Sequence, residues 1–384
     1  MTATVGINLL WLVPGVVGGS EVSTITTLHA IGDDHPKDLR YVLFALAPFV
    51  DAHPELAERY EIEVLPQSGR LKGLRVGAEQ TWLSAQVRRH RIGAMHHMGG
   101  TMPLVPGPRS VLSIHDLQPF HHPENFHPVK RAWLAQVVPR SLARAQLVLT
   151  PSEWVRHTVL ERFDVDPAKV ETVHHGVPPL PSPAPADEVR ARHRIDGPFV
   201  FYAAITYPHK DHLTLVRAMS RLAGDHDDLT LVLSGGAGPA EAQVMAEIAA
   251  LGLADRVRRI GRVSFPEVVT LLDEAEVVAF PSRYEGFGVP LVEAMSRGRP
   301  LVAADTTAVP EIVGDGALLA PPARVDAWAA TLDRLLTDPA LRTEVGERGR
   351  HQAARFSPDR NAQATMAAHR RVLGGGGATV ADHD

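Results

Sequence analysis

The chain has 384 residues, of which 45% are hydrophobic and 22% are charged, and its formal net charge is −5. This length suits two globular domains, and the acidic balance gives no support for general nucleic-acid binding. Cysteine is absent, which excludes disulfides, thiolate catalysis and cysteine-ligated metal.

Short apolar runs alternate with helical patterns through the first half of the chain. The predicted strands are 5–13, 41–47, 94–98, 110–114, 146–150 and 170–174, with predicted helices at 20–31, 82–90 and 131–143. Such alternation is typical of a parallel sheet covered by helices. It predicts an α/β domain over residues 1–178.

A proline-rich run, GVPPLPSPAPAD at 176–187, interrupts the alternation and predicts a hinge over 179–197. The predicted strands beyond it are 199–204, 229–233, 257–260, 277–280, 301–304 and 317–319, and the helices are 213–222, 240–250, 266–275, 290–297 and 325–336. They predict a second α/β domain over 198–356, then a helix at 357–373 that can cross back to the first domain. The end of the chain, 374–384, is predicted to be disordered.

The segment FPSRYEGFGVPLVEAMSRGRP at 280–300 carries the most informative pattern. Glu285 and Glu293 are separated by seven residues that include a Gly-Phe-Gly turn and a proline. A strand, a glycine turn and a helix start bring backbone amides and the positive end of a helix dipole together, which suits a phosphate. Glu293 can then accept hydrogen bonds from vicinal hydroxyls such as those of a ribose. The spacing alone fits an ordinary strand–helix junction equally well.

The whole segment resembles the glutamate–seven–glutamate motif of the family 4 glycosyltransferases, and four other runs resemble the same family in the same order. These runs are GVVGGSE at 15–21, Ser152-Glu153, His175-Gly176-Val177 and DTTAVPEIVGDGALL at 305–319. The resemblance covers nearly the full chain. It implies a GT-B fold, in which two Rossmann-like, doubly wound domains face an interdomain cleft.

The resemblance places Lys210 against the diphosphate of a nucleotide-sugar donor. A fixed ammonium there stabilises charge that grows on the leaving phosphate. Only five of the 39 basic residues are lysines, so this lysine is more informative than most. Many relatives carry an arginine six residues earlier, where this chain has Ala204, and this departure leaves the phosphate contacts open.

The resemblance also assigns the other donor contacts and the reacting groups. The donor-binding residues it implies are Gly18, Gly19, Lys210, Val263, Gly286, Phe287, Gly288, Val289 and Glu293. His115 is expected to contact the donor sugar near the reacting carbon, and Glu285 to position the sugar and stabilise positive charge on it. Asp116 is expected to orient His115 or to touch the acceptor. No dinucleotide fingerprint is present.

Neither a metal nor another cofactor is expected. The chain has no HExxH pair, and its two Asp-x-Asp runs, at 164–166 and 225–227, precede strands instead of following them. The segment from Arg70 to Arg91 is basic and partly amphipathic. It predicts peripheral contact with an anionic membrane face, although a solvated arginine-rich helix explains the same pattern. No signal peptide or membrane span is recognised, so a cytoplasmic protein is expected.

Together these features predict a retaining glycosyltransferase that moves a hexose from a nucleotide diphosphate sugar to a glycan or lipid-linked acceptor. A mannose-like sugar is the first expectation. Two alternatives stay open. One is a sugar-nucleotide epimerase of the same architecture. The other is a catalytically silent binding protein in a glycan-assembly complex, which the departure at Ala204 favours.

Overall fold

The computed structural model describes residues 2–16, 18–105 and 107–374. Contacts divide the chain into two compact units, Met1–Gly176 with Ser357–Asp384, and Val177–Phe356. Residues 375–384, which make up most of the tail predicted to be disordered, lie outside the described residues.

The first unit is built on a parallel sheet of short, mostly buried strands. In chain order these are β1 (Ala3–Asn8), β2 (Leu39–Leu46), β3 (Glu61–Leu65), β4 (Ala94–His97), β5 (Ser110–Ser113), β6 (Leu147–Thr150) and β7 (Val170–Thr172). The helices are α1 (Gly19–Asp34), α2 (Ala47–Ala52), α3 (Pro54–Ala57), α4 (Lys72–Gln80), α5 (Trp82–Arg89), α6 (Gln118–His121), α7 (Pro128–Arg144) and α8 (Glu153–Arg162). The strand order is β3-β2-β1-β4-β5-β6-β7, and each pair of neighbours is parallel.

Strand β3 has no counterpart among the predicted strands. Its sequence, EIEVL, begins with alternating charged and apolar residues, and it forms an edge of the sheet, where four of its five residues are half-buried or exposed. A search for continuous apolar runs misses such a strand, because only a strand covered on both faces needs an unbroken apolar run.

The second unit repeats this plan with its own sheet. Its strands are β8 (Phe199–Ala203), β9 (Thr230–Ser234), β10 (Val257–Gly261), β11 (Val277–Phe280), β12 (Leu301–Ala304) and β13 (Leu318–Ala320). Its helices are α9 (Ala186–His193), α10 (His212–Leu222), α11 (Glu241–Ala250), α12 (Phe265–Glu274), α13 (Val289–Ser296), α14 (Val309–Val313), α15 (Val325–Thr337) and α16 (Pro339–Ala353). The parallel order β10-β9-β8-β11-β12-β13 is that of a doubly wound sheet.

The prediction of a hinge over 179–197 is wrong in its extent, because α9 forms within it. The α9 sequence, ADEVRARH, contains no proline and places acidic residues in the first turn and basic residues in the last, which complements the helix dipole. Val189 is buried, and Arg192 pairs with Glu267 of α12 at 2.5 Å. This segment therefore packs as part of the second unit.

The last helix, α17 (Pro358–Gly374), belongs to the first unit. Asn361 accepts a hydrogen bond from Thr27 of α1 at 2.6 Å. The buried ring of His369 lies 3.0 Å from the Tyr41 hydroxyl on one side and 3.0 Å from His96 on the other. These contacts join α17 to α1, β2 and β4, so the first sheet is covered by the end of the chain.

Candidate functional site

The candidate site of the second unit lies where the loops after β8 and β11 meet. These strands are neighbours, but the chain continues from β8 to β9 on one side and from β11 to β12 on the other. A parallel sheet has a crevice at such a switch point, outside the carboxyl ends of its strands. The loop after β8 carries Lys210 and the loop after β11 carries Glu285.

Lys210 and Glu285 form an ion pair, with Nζ 2.5 Å from Oε1. Only 21% and 12% of the two side chains are exposed, so solvent screens this pair less than a surface pair. Tyr202 donates its hydroxyl proton to the Lys210 carbonyl at 2.9 Å, and the Glu285 amide donates to the Thr307 hydroxyl at 3.2 Å. Loops after β8, β11 and β12 thus fix an ammonium beside a carboxylate.

The predicted glycine turn and helix start are present between the two glutamates. Gly288 has φ = 93° and precedes α13, and a Cβ there would lie 2.6 Å from a leucine methyl of the next turn. Phe287 is buried, and its ring meets Phe356 edge-on with centroids 5.4 Å apart. Gly286 links this turn to the ion pair, and Val289 starts the helix. The first turn of such a helix favours an anion.

Glu293 lies inside α13, one turn beyond this start. Burial raises the pKa of its carboxyl to about 7. The group therefore changes charge near neutrality, and its ionised form offers acceptors only. This property suits recognition of hydroxyl groups.

Val263 lies beyond the end of β10, at the same edge of the sheet as Lys210 and two strands away from β8. Val263 is half-buried. Gly261, which closes β10, has φ = 73°, and its carbonyl accepts the Gly235 amide at 2.8 Å. The backbone around Val263 is therefore tied to the loop that follows β9.

His115 follows β5 in the first unit, and its two ring nitrogens differ. Nε2 faces the Met98 carbonyl at 2.8 Å and therefore carries the proton, whereas Nδ1 is buried without a hydrogen-bond partner among the described residues. Burial lowers the pKa of the ring below its ordinary value. His115 is thus neutral near pH 7, with a lone pair on Nδ1 ready to accept a hydrogen bond.

The surroundings of His115 contain a residue pair that the sequence analysis gave no role. The His175 ring lies 5.4 Å from His115, and its Nδ1 is 2.6 Å from the Ser23 hydroxyl. These residues line a cavity of about 30 Å³, which has room for one hydroxyl-sized group. The His175-Gly176-Val177 run was the available signal, but sequence alone does not place it beside His115.

Gly18 and Gly19 lie at the start of α1, after β1. Gly18 has φ = 68°, and a Cβ on either glycine would meet nothing within 4 Å. The Gly15 amide donates to the Glu21 carboxylate at 2.9 Å, which holds the loop. Packing therefore does not require Gly19 to be small, and the space above it is open.

Asp116 is exposed, and its carboxylate accepts the Gln118 amide at 2.8 Å. Its charge acts to raise the pKa of the neighbouring His115 against the larger effect of burial. Thus Gly18, Gly19, His115 and Asp116 lie in the first unit, and the remaining predicted residues lie in the second.

The segment from Arg70 to Arg91 forms α4 and α5 on the first unit, and α7 lies close to it. Burial lowers the pKa of Lys130 on α7, and the nearby charge of Lys72 on α4 lowers it further. The 104–105 loop contacts α4, because the Leu104 amide donates to the Gln80 side chain at 2.7 Å. Large apolar residues are exposed at the start of α4 and within it, in the 104–105 loop and on α7: Leu71, Leu74, Leu104, Val105, Val129 and Trp133. No helix in the described ranges is long and apolar enough to cross a membrane.

One group with metal-ligand geometry occurs in the part of the chain that the structure describes. Oxygen and nitrogen atoms of Glu61, Glu63 and His90 lie within 4.8 Å of one another. His90 Nε2 is 2.8 Å from Glu63, and the Arg40 guanidinium, hydrogen-bonded to Glu61, lowers the pKa of that carboxyl. This edge cluster is held by its own ion pairs, and we assign no metal to it.

Comparison with protein-family models gives two matches that follow each other along the chain. Residues 17–179 match Glycosyltransferase Family 4, and residues 186–352 match Glycosyl transferases group 1. The first match ends at residue 179 and the second begins at residue 186.

Comparison with individual proteins also finds glycosyltransferases. The chain is 32% identical to O-antigen chain mannosyltransferase B of Escherichia coli over 256 residues, covering 65% of this chain and 67% of that protein. It is 36% identical to an MMP alpha-(1->4)-mannosyltransferase of Mycolicibacterium hassiacum over 255 residues, covering 64% of this chain and 59% of that protein. The solved structure of HepE from Anabaena in complex with UDP and glucose superimposes with a TM-score of 0.73 at 20% identity, covering 96% of this chain and 99% of that one.

Proposed function

This chain belongs to the group 1 glycosyltransferases of family 4 and is a glycosyltransferase of the GT-B fold, and on that premise we propose that it transfers a hexose from a nucleotide diphosphate sugar with retention of anomeric configuration. The observation that carries the proposal is the Lys210–Glu285 pair beside the glycine turn at the start of α13. Mannose is the proposed sugar, since two relatives are named mannosyltransferases.

Lys210 is proposed to hold the donor diphosphate. In the structure its ammonium is neutralised by Glu285. A diphosphate that enters at the start of α13 offers the ammonium a second anionic partner, and the charge on the leaving oxygen increases as the glycosidic bond breaks. The ammonium and the helix end therefore stabilise the transition state more than the bound donor.

Glu285 is proposed to position the sugar and to stabilise positive charge at its reacting carbon. For a reaction with retention, the acceptor hydroxyl attacks the face from which the phosphate departs. The leaving phosphate takes the proton of that hydroxyl, and the carbon exchanges its bond to the phosphate oxygen for a bond to the acceptor oxygen. No separate protein base is needed.

His115 is proposed to accept a hydrogen bond from a sugar hydroxyl through Nδ1. Its neutral state and the orientation fixed by Met98 make that nitrogen an acceptor. Gly18 and Gly19 supply open backbone for a bound sugar or phosphate. Glu293 is proposed to bind the ribose hydroxyls, and the Val263 backbone to bind the base.

We further propose a glycan or lipid-linked acceptor and peripheral contact with an anionic membrane. The exposed apolar residues of α4, the 104–105 loop and α7 are accompanied by Arg70, Lys72, Lys130 and Arg131, a combination that binds anionic lipid surfaces. Vesicles of phosphatidylglycerol at low salt should co-sediment the protein, and Leu71→Ser with Leu74→Ser should reduce pelleting. Equal pelleting by neutral vesicles would contradict an electrostatic contact.

The proposed activity is tested with the whole chain and a set of donors. GDP-mannose, UDP-glucose and dTDP-glucose are each incubated with a panel of methyl glycosides, and release of nucleoside diphosphate and the NMR spectrum of the product are followed. We expect acceptor-dependent release from one donor and an α-linked product. A product with inverted configuration, or an altered sugar nucleotide without any acceptor, would contradict the proposal, the latter in favour of an epimerase.

A further inference from the structure

Arg262 is a cation with no carboxylate partner at the carboxyl edge of the second sheet. Among the described residues, no acidic oxygen lies within 4.0 Å of its guanidinium. Three nearby cations do have carboxylate partners: Lys210 pairs with Glu285, Arg259 with Glu241 at 3.1 Å, and Arg283 with Asp211 at 3.7 Å. An arginine left without a counter-ion in this position is suited to an anionic ligand.

Arg262 is exposed, and the local backbone lays its side chain along the sheet edge. The β9–β10 register shifts between Arg259 and Gly261, and Gly261 then adopts φ = 73°. After this irregularity the Arg262 side chain lies over the loop that follows β9. Its Nε is 3.0 Å from the point where a Cβ on Gly236 would stand. Only glycine at 236 leaves the guanidinium in this place.

The loop under Arg262 is packed on the segment that leads to Lys210. The Thr206 amide donates to the Gly236 carbonyl at 3.3 Å. Gly235, with φ = 117°, lies so close to the Ala204 carbonyl that a side chain there would collide with it. The Arg262 guanidinium is therefore adjacent to the backbone of residues 204–206, next to the place where Ala204 provides no charge.

We propose that Arg262 is the second cation for the donor diphosphate and binds its phosphate oxygens together with Lys210. The inference rests on the proposed function, because it assumes that a nucleoside diphosphate occupies the ends of β8 and β11. No sequence motif pointed to Arg262 as a phosphate-binding residue. Arg262, which follows β10, thus supplies a positive charge that Ala204, which follows β8, does not supply.

The test is calorimetric titration of GDP, UDP and dTDP, and of guanosine, uridine and thymidine, into the whole protein. Arg262→Gln should weaken binding of the preferred nucleoside diphosphate about tenfold, the effect of losing one charge-assisted hydrogen bond, and leave binding of its nucleoside unchanged. Arg262→Lys should retain part of the affinity. Arg258→Gln is the matched control, since Arg258 is on β10, the strand that precedes Arg262, and donates instead to the Arg194 carbonyl.

The outcomes separate this inference from the proposed function. If the unaltered protein binds a nucleoside diphosphate and Arg262→Gln binds it equally well, the role of Arg262 is refuted and the proposed function stands. An equal loss for nucleoside and diphosphate would place Arg262 on the base or ribose and also refute the phosphate role. If the unaltered protein binds none of the three diphosphates, both proposals fall.

Discussion

The strand ends of the two units carry different chemistry. In the second unit they hold charged groups in contact, with the Lys210 ammonium 2.5 Å from the Glu285 carboxylate. In the first unit the predicted ligand-binding groups are mostly neutral, with Asp116 as an exposed exception. Among the described residues Nδ1 of His115 has no hydrogen-bond partner, and a Cβ on Gly19 would meet nothing within 4 Å. The two sheets have similar topology but differ at their strand ends. The second unit carries an ion pair there, whereas the first carries a neutral hydrogen-bond acceptor and open space.

From this difference we propose that the two units bind different parts of the substrates. A diphosphate needs cations and helix ends, whereas sugar hydroxyls need neutral acceptors and room. Substitutions in the second unit should therefore affect nucleotide binding and the chemical step. Substitutions in the first should affect turnover while leaving nucleotide binding intact.

The largest effect is expected for Lys210→Ala. Removing the ammonium that is proposed to stabilise the leaving diphosphate should lower kcat by about 100- to 1,000-fold and weaken nucleoside diphosphate binding, as measured by product release and calorimetry. Arg217→Ala, which breaks the exposed pair with Glu247 in the same unit, is the control and should retain activity. Normal turnover by Lys210→Ala would contradict the proposed role of the second unit in binding the diphosphate.

His115→Ala should give the next largest effect and sharpen the comparison most. Losing a neutral acceptor for a sugar hydroxyl should lower kcat/KM by roughly 10- to 100-fold, with the Kd of nucleoside diphosphate unchanged. His226→Ala, which removes a histidine paired with Asp333 in the second unit, serves as the control. A large loss of nucleoside diphosphate affinity in His115→Ala would show that the two surfaces are not specialised in this way.

The proposed contact of Glu293 with the ribose predicts that nucleoside binding depends on pH. With its pKa raised to about 7, the carboxyl is mostly neutral at pH 6 and mostly ionised at pH 8. If the ionised form binds the ribose hydroxyls, affinity for the nucleoside, which has no phosphate that titrates in this range, should increase by up to about tenfold. Titrations of the nucleoside at several pH values should give a flat profile for Glu293→Gln, and a falling affinity in the unaltered protein would contradict this role.

The smallest effect is expected for Gly19→Ala. Because a Cβ at this position meets nothing within 4 Å, the melting temperature should not change. KM for donor or acceptor should rise by a few-fold if a ligand approaches the backbone there. Gly288→Ala is the contrasting variant, since its φ of 93° and contact with Leu291 should lower the melting temperature. An unchanged KM in Gly19→Ala would leave that loop outside the site.

The sequence predicted features that depend on local pattern. The alternation of apolar runs predicted two α/β units, and the motif around Glu285 predicted both the glycine turn and the family, which the comparisons confirm. The α9 helix was missed because prolines on its N-terminal side dominate the composition of the segment. The β3 strand was missed because its pattern alternates.

Other features depend on contacts that sequence spacing does not reveal. Lys210 and Glu285 are 75 positions apart, and nothing local predicts that they touch. The same holds for the burial that raises the pKa of Glu293, and for the Arg262 guanidinium, which has no carboxylate partner among the described residues. These properties arise from which strands become neighbours, so they require the folded chain.

The central claim is that a nucleoside diphosphate binds at the ends of β8 and β11, and amide hydrogen exchange tests it without relying on turnover. With whichever of GDP, UDP or dTDP binds at saturation, slowed exchange should be concentrated at 204–212 and 283–293. Lys210→Ala at the same concentration should show less protection there. Saturating nucleotide that leaves both segments unprotected and slows exchange only in the first unit would contradict the account.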